Sequence, residues 1–287
     1  MRVPISVLIL THNEERNLDA CLKSVVAWAS EVFVVDSFSQ DRTCDIAKGY
    51  GATVLQHEFK SHGAQRNWAL ANVPFRQDWV LALDADHQVT PELAAELETV
   101  IPAAAPNDVG FFIKRRQIFR KRWIRHGGYY PKYMLKVFRR KNARFDEDEL
   151  DDRVYVTGHT RRLRSDIIED NANEASIGFW IEKHNRYAGQ TALDELKIRQ
   201  GLKALPLTPH LFGNPNEQIY WFKQHWYKMP LYLRPAVYFF YRYFLRLGIL
   251  DGKEGFIFHF LQAFWFRLLV DIKLDELMRP TAASHPR

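Results

Sequence analysis

The sequence predicts an α/β chain: a mostly parallel, Rossmann-like sheet flanked by helices, followed by a C-terminal helical region of different character. Three observations carry this expectation. Apolar runs of strand length alternate with helix-length segments over the first hundred residues. Three of those runs lead straight into carboxylates, at Glu14, at Asp36 and at the pair Asp84 and Asp86. From Pro206 onward the composition changes, with 19 of the 40 aromatic residues in that segment.

Each element has a local reason. Ile5–Leu10 is a continuous apolar run, as a strand buried on both faces requires. Asn17–Ala29 puts Leu18, Leu22, Val25 and Ala29 on one helical face. Glu31–Val35 reads as a second strand, and a helix over Ser39–Gly49 can start on Ser39 and stop near Gly49 or Gly51. Val54–Gln56 is a short third strand, Ala64–Ala71 a short helix and Trp79–Leu83 a fourth strand. Thr90 and Pro91 then supply an N-cap and a first-turn proline for a helix over Glu92–Ile101.

After the Pro102–Asn107 connection, Gly110–Ile113, Tyr133–Phe138 and Arg153–Thr157 read as further strands, with Gly127-Gly128 as a turn. A long helix is expected from about Ser176 to Leu202. In the tail, Tyr238–Tyr241 and Phe264–Phe266 are interleaved with Arg234, Arg242, Arg246 and Arg267. Its longest uncharged stretch, Gly255–Phe266, has 12 residues, short of the roughly 20 that a spanning helix needs. The expected organisation is residues 1–110 and 111–205 as two halves of one domain, with 206–287 as a membrane-associating tail.

Composition bounds the function. At 287 residues and 47% hydrophobic the chain can bury a sizeable core. Cys21 and Cys44 alone give no disulfide framework and no cysteine zinc site. No apolar leader segment opens the sequence, and the expected setting is reducing and cytoplasmic. The net charge of +6 is strongly segregated. Residues 1–110 carry 8 bases and 15 acids, and residues 114–144 carry 13 bases and no acid. Residues 146–152 hold six acids in seven positions, and the segment from Pro206 has 10 bases against 6 acids. Such blocks suit different partners.

In open α/β sheets ligands bind at the carboxyl ends of the strands. Here those ends carry Thr11-His12-Asn13-Glu14, Asp36-Ser37-Phe38-Ser39-Gln40-Asp41 and Asp84-Ala85-Asp86. Two carboxylates one residue apart after a buried strand repel unless a cation lies between them, which suits a hard divalent ion bridging to phosphate. The glycine patterns of dinucleotide and P-loop folds are absent, as is a Gly-x-Ser-x-Gly elbow, so NAD, ATP and serine-hydrolase chemistry have no support.

Taken together, Val7–Leu18, Glu31–Thr43, Gln65-Arg66-Asn67 and Trp79–Asp86 resemble glycosyltransferase family 2, the inverting enzymes of GT-A fold. Arg125–Pro131 and Asn185–Ala188 resemble its subgroup acting on lipopolysaccharide core and related envelope glycans. The resemblance implies a nucleotide-diphosphate sugar donor, expected to be UDP-linked, held by Thr11, Asn13, Glu14, Asp36 and Ser37. It implies Gln65 and Arg66 near the diphosphate, Asp84 near the ribose, and Asp86 as ligand of Mn²⁺ or Mg²⁺. The subgroup places a His-Glu pair where this chain has Asp151-Asp152; Asp152 is the expected base and Asp151 the reserve. His87 stands where the subgroup has Glu. The basic segment 114–144 is read as contact with an anionic glycolipid acceptor or bilayer, with a solvated surface as the alternative. It carries no nucleic-acid-binding motif. The expected location is the cytoplasmic face of the inner membrane, peripherally attached. A polyprenyl-phosphate sugar transferase and a non-catalytic nucleotide-sugar-binding or membrane-scaffolding protein are the rival readings.

Overall fold

Strand β1 (Val3–Thr11) is apolar along its length because it lies inside a sheet covered on both faces. The computed structural model describes residues 2–147 and 153–279, in two compact units, Met1–Ala175 and Ser176–Arg287. In the first unit β1 is followed by α1 (Leu18–Lys23), β2 (Ala29–Asp36), α2 (Thr43–Gly49), β3 (Thr53–Gln56) and α3 (His62–Asn72). Then come β4 (Trp79–Asp84), β5 (His87–Val89), α4 (Pro91–Val100), β6 (Asp108–Phe119), β7 (Arg122–Ile124) and β8 (Lys132–Arg139). A small ribbon of β9 (Ala143–Phe145) and β10 (Val154–Val156) precedes β11 (His159–Glu169).

The main sheet runs β3-β2-β1-β4-β8-β6-β11-β5, with β7 paired to β6. The first four strands are parallel, as is the β6–β11 pair; β8 runs antiparallel between β4 and β6. The two-residue period of β1 sorts its core. Val7 and Ile9 pack with Leu18, Leu22, Leu93 and Leu97 on one face, while Leu8 and Leu10 pack with Ala69, Leu70 and Phe138 on the other. Each such side chain contributes about 1.5–3 kcal/mol by burial, so the strand ends are fixed from both sides.

The expected α/β class holds, with corrections in detail. The helix expected over Asn17–Ala29 is only the six-residue α1, because the Ser24 hydroxyl donates to the Cys21 carbonyl at 2.6 Å and the chain turns toward β2. The helix expected from Ser39 begins at Thr43. Ser39 is occupied with Asp36, and the Asp41 carboxylate accepts from the Thr43 amide at 3.0 Å instead. Thr90 caps α4 as expected, accepting from the Leu93 amide at 3.2 Å. Gly127 and Gly128 both adopt positive φ, as the expected turn requires.

Strands β5, β7, β9 and β11 were not anticipated, and β6 has 12 residues where four were expected. Charges hide β11 and the second half of β6 from the hydrophobic pattern. Lys114, Arg115 and Arg116 on β6 pair with Asp166 and Glu169 on the adjacent β11, so both strands carry charge in a sheet where it is neutralised laterally.

The second unit is helical: α5 (Ile177–Arg199), α6 (Pro215–Lys228), α7 (Leu233–Phe240), α8 (Gly252–His259) and α9 (Phe266–Met278). Ala188 and Ala192 of α5 let α9 approach with Phe266, Val270 and Leu274. Arg234 is fully buried and donates to Glu195 at 2.8 and 3.0 Å and to Asp271 at 2.8 Å, beneath the Trp226 ring. A single helical run covers Gly248–Met278 and is long and apolar enough, by length and composition only, to cross a membrane. This corrects the expectation from the 12-residue uncharged stretch. Isolated charges at Lys253, Glu254 and Arg267 divide the sequence without breaking the helix.

Candidate active site

The carboxyl ends of β1, β2 and β4 are neighbours because these strands are adjacent and parallel, which gathers Thr11, Asp36 and Asp84 at one sheet edge. Asp36 is fully buried. Its Oδ1 accepts from the Thr11 hydroxyl at 2.9 Å, and its Oδ2 accepts from the Ser39 amide at 2.9 Å and from Gln56 Nε2 at 3.3 Å. Burial pushes this carboxyl up, but the Ser39 and Thr11 donors outweigh it and hold the group below the usual aspartate range. Asp36 therefore stays ionised while buried at the end of β2.

The neighbouring loops are cross-tied. Asn13, at φ +55°, donates its amide to the Ser39 hydroxyl at 2.8 Å and accepts from the Gln40 amide through Oδ1 at 2.8 Å. Glu14 donates its amide to Thr43 Oγ1 at 2.8 Å and accepts from Asn17 Nδ2 at 2.6 Å and Asn173 Nδ2 at 3.3 Å. Buried Gln65 donates to the Ser37 hydroxyl and the His57 carbonyl, each at 3.1 Å, while its Oε1 takes the His57 ring N–H at 2.6 Å.

Asp84 is the charge centre of the edge. Its Oδ1 accepts from Nη2 of the fully buried Arg66, and its Oδ2 accepts from Lys136 Nζ at 3.1 Å. Burial opposes ionisation here, yet the Lys136 and Arg66 cations hold Asp84 well below the ordinary carboxylate range. Buried His87 accepts the Asp84 amide at Nδ1, 3.0 Å away, which leaves its Nε2 to carry the proton toward Glu169 Oε2 at 3.2 Å. Glu169 also accepts from Arg115 at 2.6 Å and lies below its usual range despite burial. Asp86 accepts from Asn171 Nδ2 at 3.0 Å. Asn171 in turn accepts from Asn17 at 3.3 Å. Behind the edge, the Cys21 thiol is raised well above its usual range by burial and by Asp86, Asp84 and Glu14.

The donor atoms of Asp84, Asp86 and His87 lie within 4.8 Å of one another, and a divalent ion fits this group chemically. The two carboxylates supply hard oxygen ligands. Both His87 nitrogens already have partners, so the imidazole is better read as a brace for Asp84 than as a ligand.

Thr11, Asp36, Ser37 and Gln65 thus form one hydrogen-bonded cluster, and Arg66 joins Asp84 in another. Asp151 and Asp152 lie outside the described residues. Lys136, Glu169, Asn171 and Asn173 were missed by sequence reasoning. Lys136 was one base among 13, and the Asn171-Ala-Asn173 spacing after an unrecognised strand was the one available signal. The basic segment is partly spent internally: Lys114, Arg115, Arg116 and Lys136 pair with acids, while Arg120, Lys121, Arg122 and Arg125 are exposed.

Comparison with known proteins agrees with this architecture. The chain is 28% identical over 286 residues to an uncharacterized glycosyltransferase of Rickettsia bellii, covering 95% of this chain and 86% of the relative. It is 28% identical over 155 residues to the lipopolysaccharide core biosynthesis glycosyltransferase LpsC of Rhizobium meliloti, covering 50% of this chain and 54% of LpsC. The chain therefore spans about half the length of that relative. In fold it is similar to a mannosyltransferase of Pyrobaculum calidifontis, solved in complex with GDP-Man and Mn²⁺. That likeness has a TM-score of 0.58 at 14% identity and covers 97% of this chain and 89% of the other. Residues 6–169, which hold every strand edge described above, match glycosyl transferase family 2. With a GT-A sheet whose carboxyl edge collects Asp36, Asp84 and Asp86, the chain belongs to glycosyltransferase family 2.

Proposed function

We propose that this glycosyltransferase moves a hexose, with inversion, from a UDP-linked donor to a hydroxyl of a lipopolysaccharide-core or lipid-linked envelope glycan. The work takes place at the cytoplasmic face of the inner membrane. The observation that carries the reading is the Asp84–Asp86 pair at the end of β4, beside the ionised and buried Asp36. The likeness to LpsC supports an envelope acceptor. GDP-Man in the Pyrobaculum enzyme makes a GDP-linked donor the alternative to test.

In this reading Asp36, with Thr11, Asn13, Glu14 and Ser37, receives the base and ribose. A carboxylate held ionised in a dry site accepts strongly from a base N–H. Asp84 is kept in place by Arg66 and Lys136 and lies near the ribose, and Gln65 and Arg66 set the wall beside the diphosphate. Asp86, oriented by Asn171, would hold Mn²⁺ or Mg²⁺. When bound, the ion supplies Lewis-acid stabilisation of the leaving diphosphate. The acceptor hydroxyl needs a base as its oxygen attacks the anomeric carbon, and Asp152, with Asp151 in reserve, takes that proton.

A thermal-shift panel of UDP- and GDP-sugars with and without Mn²⁺ tests the donor, since a ligand that binds the native state raises the melting temperature. The expected result is a Mn²⁺-dependent shift with a UDP-sugar that Asp86→Ala removes. No shift with any nucleotide sugar would favour a scaffold that kept the fold. Asp152→Asn should abolish transfer while calorimetric donor binding persists. A polyprenyl-phosphate acceptor is the second reading, favoured by the spanning-length helical run Gly248–Met278.

A further inference from the structure

We propose that the turn-around between α7 and α8 is a bilayer-docking wedge that sits in the headgroup region of an anionic membrane without crossing it. This deepens the membrane part of the proposed function and rests on it for the location. Donor binding reports on the first reading and vesicle binding on the second, so the two can fail separately.

The geometry is that of a preformed surface. Helix α7 runs on through Tyr241–Leu245, where the Arg246 amide reaches back five residues to the Tyr241 carbonyl at 2.8 Å, widening the last turn. Leu247 then takes φ +60° and Gly252 φ +69° to reverse the chain. Gly248 sits where a Cβ would come within 2.6 Å of His259 Nε2 and 2.9 Å of the Arg242 carbonyl, so the reversal is packed down on α8. Its outer side is apolar. Leu245 is 65% exposed, Leu250 57%, Phe240 54% and Leu247 52%, with Phe244 and Ile249 beside them. Soluble surfaces rarely expose so many large apolar side chains together.

Charge selects the occupant. Residues 218–250 contain five bases and no carboxylate. Of these, Arg234 is neutralised inside the unit, whereas Arg246 is exposed, lies over the Tyr241 ring at 5.9 Å and donates to its hydroxyl at 3.1 Å. Arg267 lies over Trp226 and Tyr238 at 5.8 and 5.9 Å. A second copy of the chain docking symmetrically here would set this base-rich surface against itself and bring like charges together. An anionic bilayer offers the opposite charge to the arginines, an apolar layer to the leucines and phenylalanines, and a boundary that suits Tyr and Trp. Docking rather than spanning follows from the inner side of the same helices, where His259 and Asp271 are fully buried against the unit.

The test is flotation of the full chain with vesicles of phosphatidylcholine containing 30% phosphatidylglycerol, and with phosphatidylcholine alone. Wild type should float with the anionic vesicles, less at high salt and less with the neutral ones. Leu245→Glu/Leu247→Glu should lower binding at least tenfold with an unchanged donor-induced thermal shift. Should that pair misfold, the exposed Arg246→Gln should still lower anionic binding about fivefold. Unchanged binding of a folded double variant overturns the proposal. So does a wild-type dimer that the double variant makes monomeric without any vesicle binding, and so does retention in membranes after an alkaline carbonate wash, which would mean that the run Gly248–Met278 spans.

Discussion

Arg66 and Asp84 form an asymmetric pair: the guanidinium is fully buried, while the carboxylate side chain is 37% exposed and takes a second cation, Lys136, on its other oxygen. The arginine is thereby committed to holding an acid at the mouth of the site. Removing it strands a charge instead of freeing a surface. Arg66→Met is expected to cost about 2–4 kcal/mol in urea unfolding. In an Asp84→Asn background the same change should cost distinctly less, and equal costs would show that the pair is not coupled.

Asn171 holds Asp86 through a 3.0 Å hydrogen bond and is itself held by Asn17. Loss of such an orienting contact typically weakens metal binding about 10–100-fold. Asn171→Ala should therefore raise the Mn²⁺ concentration for half-maximal donor turnover by at least tenfold, with the rate recovering at saturating metal. A lower rate with an unshifted metal dependence would rule out the orienting role.

Gly63, in the first turn of α3, meets the backbone of the segment that leads from β9. An added Cβ would lie 2.0 Å from the Asp146 carbonyl oxygen and 2.7 Å from its carbon. Backbone cannot give way as a flexible side chain does, so Gly63→Ala should cost about 1–3 kcal/mol. A melting temperature within a degree of wild type would contradict this contact.

His184 lies in the second unit, stacked on Trp180 at a ring separation of 3.5 Å. Burial lowers its pKa from 6.5 to about 4. Above about pH 6.5 the ring is neutral in both folded and unfolded chains, and its contribution is complete. As the pH falls toward about 4, the unfolded chain binds a proton that the native one does not, and stability is lost, on the order of 3 kcal/mol in all. Urea titrations between pH 7 and 4 should show this slope, and His184→Phe should flatten it.

Legibility in the sequence followed the apolar pattern. Ile5–Leu10 and Trp79–Leu83 were readable because central parallel strands are apolar on both faces, and their ends, with that of Glu31–Val35, then located Glu14, Asp36, Asp84 and Asp86. Strand β11 was not readable, because Arg161, Arg162, Arg164 and Asp166 give it the look of a loop until β6 is beside it. Lys136 and Glu169 were lost for the same reason: their roles exist only through partners 52 and 82 residues away, Asp84 and His87. Periodicity reports which face is buried, and it is silent about which charge meets which.

One closure has a consequence in time. The Asn17 side chain donates to Asn171 and accepts from the Ala172 amide at 2.8 Å, joining residues 154 and 155 positions apart across the site. Contacts of such separation form late, because the intervening chain must first be ordered. During synthesis the early strands can pair while the carboxylate-bearing edge still lacks its last tether. Closure of that edge therefore waits until the segment beyond β11 has been made and has returned to α1.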